Sequence, residues 1–167
     1  DSASRKKLHD RCLAYHRASA IDFAPQANLI LPGLFLCDMY SATDELVLNS
    51  IRPTHIMHVL ARPTCSYGAP IHTKRIAIED KSTVDILSHL DDAMEWLHEA
   101  IEGGGTVLVH CMWGKSRSAA FVMAYLMAKK GMSLEAAFGH VKERRSIIGP
   151  NEGFMRQLRV FEKKLRR

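Results

Sequence analysis

An α/β domain with a central, mostly parallel sheet flanked by helices is the fold class the sequence predicts, and three observations predict it. Strand-like and helix-like stretches alternate from residue 28 onward. The compact β-branched and apolar run Thr106–His110 suits a buried central strand. Ahead of it, Leu87, Leu90, Met94, Leu97 and Ile101 recur at steps of three and four, while Asp91, Asp92, Glu95 and Glu99 take the other face of the same helix. A chain of 167 residues, 47% hydrophobic and 25% charged, has room for one such domain.

The elements follow in order. Residues 1–25 form an N-terminal arm or helix, and 26–167 the folded domain. Leu29–Leu31 and Leu34–Cys37 are short strands joined by the Pro32–Gly33 turn. Ser41 or Thr43 is positioned to cap a short helix that runs through Asn49. Thr54–Leu60 and Lys74–Ile78 are the next strands, and the amphipathic helix after them stops at Gly103. The Gly103–Gly105 run makes a turn; it has no supporting Lys for a phosphate loop. Beyond the Thr106–His110 strand come three helices. The first runs from Ser116 or Arg117 to Lys130 and is stopped by Gly131, and the second from Ser133 to about Arg145. The third runs from Asn151 to the C-terminus, with Phe154, Leu158, Phe161 and Leu165 as its buried stripe.

Several function classes are excluded early. The longest apolar run, Ala119–Ala128, falls well short of the ~20 residues of a membrane span. No charged-then-apolar leader is visible, so no signal peptide is expected. Four scattered cysteines, Cys12, Cys37, Cys65 and Cys111, make neither a disulfide scaffold nor a zinc half-site, which favours a reducing, intracellular and cytoplasmic setting. His55 and His58 are three apart in a predicted strand and so face opposite sides, against a metal pair. The formal charge of +5 raises the question of a polyanionic partner. Residues 1–11 carry four basic and two acidic side chains and residues 156–167 carry six and one, leaving the body slightly acidic. Nucleic acid is therefore not the expected partner.

The chemistry concentrates in His110-Cys111-Met112-Trp113-Gly114-Lys115-Ser116-Arg117-Ser118, between the buried strand and the next helix. A short Gly-containing loop from strand to helix turns backbone N–H groups toward one point, and the helix N-terminus adds about half a positive charge there. A thiol facing such a field is expected to ionise readily. The planar fork of Arg117, separated from Cys111 by the five residues of the loop, can hold two oxygens of a phosphoryl group through a trigonal transition state. A phosphate seated in the loop would have the Cys111 sulfur beneath it.

HCMWGKSRS resembles the His-Cys-x-x-Gly-x-x-Arg-Ser signature of cysteine-dependent protein phosphatases, and Ala124-Tyr125-Leu126-Met127 is similar to the dual-specificity branch. Further matches are Leu31-Pro32-Gly33-Leu34-Phe35-Leu36, Thr54-His55-Ile56, and Pro150-Asn151-Glu152-Gly153-Phe154 with Gln157-Leu158. The resemblance implies the three-layer phosphatase fold and a catalytic domain over 26–167. It implies Cys111 as nucleophile through a phosphocysteine, and Arg117 with the backbone of Met112, Trp113, Gly114, Lys115 and Ser116 on the phosphoryl oxygens. It further implies Ser118 on the sulfur and His110 orienting the cysteine from behind. The family's acid is an Asp about thirty residues before the Cys. Asp80, 31 residues ahead, fits, with Glu79 and Asp85 as alternatives, Asp85 being placed to cap a helix. Asn151 caps the last helix and, in the family, also bonds back toward the phosphate loop.

The resemblance implies hydrolysis of phosphotyrosine and of phosphoserine or phosphothreonine in proteins, with no metal or cofactor, and with phosphoproteins, protein kinases among them, as partners. A phosphoinositide phosphatase is the alternative, on the strength of Lys115. That group more often has a second Lys just after the Cys, where this chain has Met112. A non-catalytic phosphate-binding adaptor is a further alternative, disfavoured because Cys111, Arg117 and Asp80 are all present. Trp113 is placed to wall a pocket for an aromatic phosphoester. Arg144 and Arg145 could guide a second phosphate or offset a helix dipole. Cys37 stands where the family more often has Gly. Cys12, Cys37 and Cys65 are ordinary buried thiols in the plainer reading, and partners for an oxidised Cys111 in the other.

Overall fold

Among the described residues, 25–62, 67 and 70–166 of a computed structural model, five strands form one sheet. They are β1 (Asn28–Leu31), β2 (Leu34–Cys37), β3 (His55–Val59), β4 (His72–Ile76) and β5 (Val107–His110), hydrogen-bonded in the order β1-β2-β5-β3-β4. Only the β1–β2 hairpin is antiparallel; β2–β5, β5–β3 and β3–β4 are parallel. The helices are α1 (Glu45–Ile51), α2 (Leu87–Glu102), α3 (Arg117–Lys130), α4 (Leu134–Arg144) and α5 (Glu152–Leu165). The predicted N-terminal arm, Cys12 and Cys65 lie outside the described residues, apart from residue 25.

Strand alternation decides which face each side chain covers. Along β5, Val107 and Val109 enter the large core with α2, α3, α4 and α5, while Leu108 joins Cys37, Ala42 and Ile56 on the other face, where Leu48 and Ile51 of α1 pack. Three layers result, with β5 in the middle of the sheet. Helix α3 is buried from Ser118 to Met127, because α2, α4 and α5 surround it. Its apolar residues on all sides are the composition of an enclosed helix.

Three expectations are corrected. Helix α1 is capped by Asp44, whose Oδ1 accepts from Val47 N at 3.0 Å, and not by Ser41 or Thr43. The Ser41 hydroxyl accepts from Gln26 N, and the Thr43 hydroxyl donates to Met39 and Tyr40 carbonyls in a 3-10 turn. Strand β4 spans His72–Ile76 in place of Lys74–Ile78, because pairing with β3 starts at His55↔His72. Leu165 is 42% exposed, so the buried stripe of α5 ends at Phe161.

Candidate active site

Cys111 follows the C-terminal end of β5, and residues 111–116 lead into α3. A planar trans peptide points its C=O and the following N–H in opposite directions, so the loop's carbonyl partners reveal where its N–H groups face. The carbonyls from Met112 to Lys115 bond to groups outside the loop, and that of Ser116 opens the hydrogen-bond ladder of α3. Met112 O accepts from Met39 N at 3.2 Å, Trp113 O from Arg145 Nη2 at 3.1 Å and Gly114 O from Arg145 Nε at 2.8 Å. Lys115 O accepts from Gly149 N at 2.9 Å and Ser116 O from Ala120 N at 3.0 Å. The N–H groups of residues 113–117 therefore face the opposite, inner side, a concavity suited to an anion.

The loop needs Gly114. Its φ is +61°, and a Cβ there would stand 2.5 Å from the Cys37 carbonyl oxygen and 2.7 Å from Arg145 Nη2. Arg145, only 5% exposed, acts neither as a second phosphate guide nor as a dipole offset. Besides its two loop carbonyls it donates to Asn28 Oδ1 at 2.8 Å and stands 3.6 Å from Asp38 Oδ2. Charge-assisted bonds from one buried guanidinium thus hold the loop to the β1–β2 side of the sheet. Arg144 is exposed and bonds the His140 carbonyl.

Cys111 is 2% exposed and its Sγ accepts a hydrogen bond from Ser118 Oγ at 3.0 Å. Behind it, His110 is fully buried. Its Nδ1 lies 3.2 Å from the Cys111 carbonyl, which can only accept, so Nδ1 carries the hydrogen and Nε2 accepts from the Tyr67 hydroxyl. Burial pushes the His110 imidazole down to about 4, with nearby His58 adding to the effect and the bond to Cys111 opposing it. The ring is neutral at pH 7. Cys37 lies in the smaller core on the sheet's other face, apart from the core that holds Cys111, so the two thiols are placed as separate buried side chains.

Asp80 is held over the loop. Its Oδ1 accepts from Ser116 Oγ at 2.7 Å and from Asn151 Nδ2 at 2.8 Å, and Ser116 Oγ in turn accepts from Asn151 N at 3.0 Å. Asn151 also caps α5, Oδ1 accepting from Phe154 N at 2.9 Å, so the capping reading and the tie toward the loop both hold. Arg117 Nη1 donates to the Ile78 carbonyl at 3.2 Å, while its Nε is buried with no hydrogen-bond partner among the described residues. The competing carboxylates are occupied elsewhere. Glu79 pairs with Lys81 at 2.6 Å, which lowers its carboxyl below the usual value. Asp85 accepts from Ser88 N at 3.3 Å at the start of α2, and the Ser88 hydroxyl followed by this backbone bond lowers its carboxyl too.

The side-chain roles of Ser116 and Arg145 were not foreseen. Ser116 is expected from the sequence to act through its backbone, and the signal for Arg145 lies in β1 and the Asp38 turn, distant in sequence. Tyr67, equally unforeseen, comes from the long β3–β4 connection. Among the described residues no group of three His, Cys, Asp or Glu side chains is arranged to hold a metal, and no helix is long and apolar enough to cross a membrane.

Residues 34–164 match the family described as dual specificity phosphatase, catalytic domain. The chain is 39% identical over 138 residues to dual specificity protein phosphatase 1 of Arabidopsis thaliana, covering 83% of this chain and 70% of that protein. It is 40% identical over 136 residues to human dual specificity protein phosphatase 5, covering 81% of this chain and about a third, 35%, of that longer protein. The crystal structure of human DUSP28 superposes with a TM-score of 0.81 at 33% identity, covering 84% of this chain and 95% of that one.

Proposed function

The chain belongs to the dual specificity phosphatase family, and from that premise we propose that it hydrolyses phosphotyrosine and phosphoserine or phosphothreonine in proteins through a phosphocysteine on Cys111. The observation that carries this reading is the loop after Cys111, whose carbonyls from Met112 to Ser116 are all engaged away from its inner side. Backbone N–H groups turned to one side suit the several oxygens of a phosphoryl dianion, which accept more and stronger hydrogen bonds than a neutral ligand.

In the first step Cys111 Sγ attacks phosphorus in line, forming the S–P bond as the P–O bond to the substrate side chain breaks. Asp80, in its protonated form, gives its proton to the departing oxygen. Its Oδ1 already accepts two hydrogen bonds, so Oδ2 is the oxygen assigned to carry the proton. The inner N–H groups and Arg117 hold the equatorial oxygens; the unpartnered Nε of Arg117 supplies a donor not used within the described residues. In the second step water attacks phosphorus and passes a proton to Asp80, the S–P bond breaks, and phosphate leaves. Ser118, donating to Sγ, stabilises the charge returning to sulfur. No step calls for a metal or cofactor.

A thiol nucleophile has to stay reduced, which supports an intracellular setting. Protein kinases bearing phosphotyrosine and phosphothreonine are one partner class that suits the proposed activity. Cys111→Ser is expected to abolish turnover of p-nitrophenyl phosphate and to trap phosphopeptides. Full activity in the variant would end the mechanism, and trapping of phosphoinositides in preference to phosphopeptides would move the substrate to lipid.

A further inference from the structure

At the end of the sheet remote from Cys111, the N-terminal ends of β3 and β4 and the C-terminal end of α2 border an open cavity of about 460 Å3, within the size range of small-ligand sites. We infer that this cavity accepts an arginine side chain of a protein partner, stacked on its ring cluster and paired with Glu99. Proposed catalysis uses none of its lining residues.

The rings come first. His55 and His72 stack with centroids 5.0 Å apart and planes 26° apart, and Trp96 meets His55 edge-on at 5.4 Å. All three line the cavity. Burial and the neighbouring His72 hold His55 below the ordinary imidazole value, so it presents a neutral π surface at pH 7.

The charge comes second. Helix α2 carries five acidic residues, and four are ion-paired: Asp91 with Lys164, Asp92 with Lys74, Glu95 with Lys129 and Glu102 with Lys130. Glu99 is the exception among the described residues, and it is the one that lines the cavity. The negative end of the α2 dipole lies beside it, at Gly103. No lysine or arginine is among the lining residues. An anion would be repelled there, and a planar cation would find both a carboxylate and ring faces.

Access comes third. Gly105 brings backbone against Thr54 and His55, where a Cβ would stand 2.8 Å from Thr54 Oγ1 and 3.1 Å from His55 Nδ1. Gly104 has nothing within 4 Å of its Cβ position. The glycine run thus floors the cavity and leaves its mouth clear for another chain to approach.

The test titrates N-acetyl-arginine-methylamide into the 15N-labelled full chain, with the lysine analogue in parallel. Saturable shifts are expected at the Trp96 indole N–H and the Gly103–Gly105 amides, with roughly millimolar affinity for a single side chain. Lysine analogue and Glu99→Gln should each bind about tenfold more weakly. Glu99 is exposed, so the variant should keep its fold and hydrolyse p-nitrophenyl phosphate at the wild-type rate, a control independent of the cavity. Equal binding of the lysine analogue, wild-type affinity in Glu99→Gln, or shifts absent from those groups would overturn the inference.

Discussion

Asp80 receives two hydrogen bonds on one oxygen, and that arrangement separates the proposed roles of Asp80, Ser116 and Asn151. Asp80→Asn removes the proposed proton donor and should lower kcat on an alkyl phosphoester by about 10²–10⁴. The basic limb of the kcat–pH profile should disappear with it, and an unchanged profile would pass the role to Glu79 or Asp85. Asn151→Ala keeps the acid but frees its orientation; a smaller kcat loss with the basic limb retained is expected from the same profiles. Ser118→Ala acts at the second step instead, so rapid-quench kinetics should reveal accumulating phosphoenzyme with little change in its formation. Most of this site was legible in the sequence, because a strand, a loop and a helix N-terminus bring residues 110–118 together within one stretch of chain. The Ser116–Asp80–Asn151 contacts were less so. They join three segments, and only the tertiary fold sets those distances.

At the scale of elements, the phosphate loop depends on a strand-side clamp. Arg145 sits at the end of α4, yet its guanidinium reaches Asn28, Asp38 and two loop carbonyls. Arg145→Met leaves buried acceptors unpaired and should destabilise the protein by about 3–5 kcal/mol, measured by urea unfolding, with kcat falling as the loop loosens. Gly114→Ala should reduce both stability and activity, through its positive φ and the Cys37 contact. The elements themselves were well signalled where local rules decide them: Ser133 and Asn151 cap α4 and α5, and Gly131 ends α3 with φ +68°. They were missed where a distant partner takes over. Ser41 is a good cap by residue type, but Gln26 N occupies its hydroxyl, and the start of β4 follows its register with β3. At the start of α2 the two kinds of partner combine: Asp85 accepts locally from Ser88 N, and Gln157 of α5 accepts from both Ile86 N and Leu87 N.

Across the whole molecule, burial of His110 ties stability to pH. The imidazole titrates near 6.5 when unfolded and at about 4 when folded, so the unfolded chain binds more protons between those values. The stabilisation from keeping it neutral is complete above about pH 6.5 and is lost as pH falls toward 4, amounting to about 3 kcal/mol. His58 is lowered in the same direction, chiefly by burial. Unfolding free energies from urea titrations at pH 4–7 should therefore rise with pH, with a shallower slope in His110→Asn. The segment that carries Asp80 is also fastened at several points: Arg117 holds the Ile78 carbonyl, Asn151 and Ser116 hold Asp80, and at Gly153 any Cβ would collide with the Ser82 carbonyl. With these ties in place, the segment is expected to stay over the loop from one turnover to the next. Thickening the solvent with sucrose should slow diffusion without slowing the chemical step, leaving single-turnover rates insensitive to viscosity.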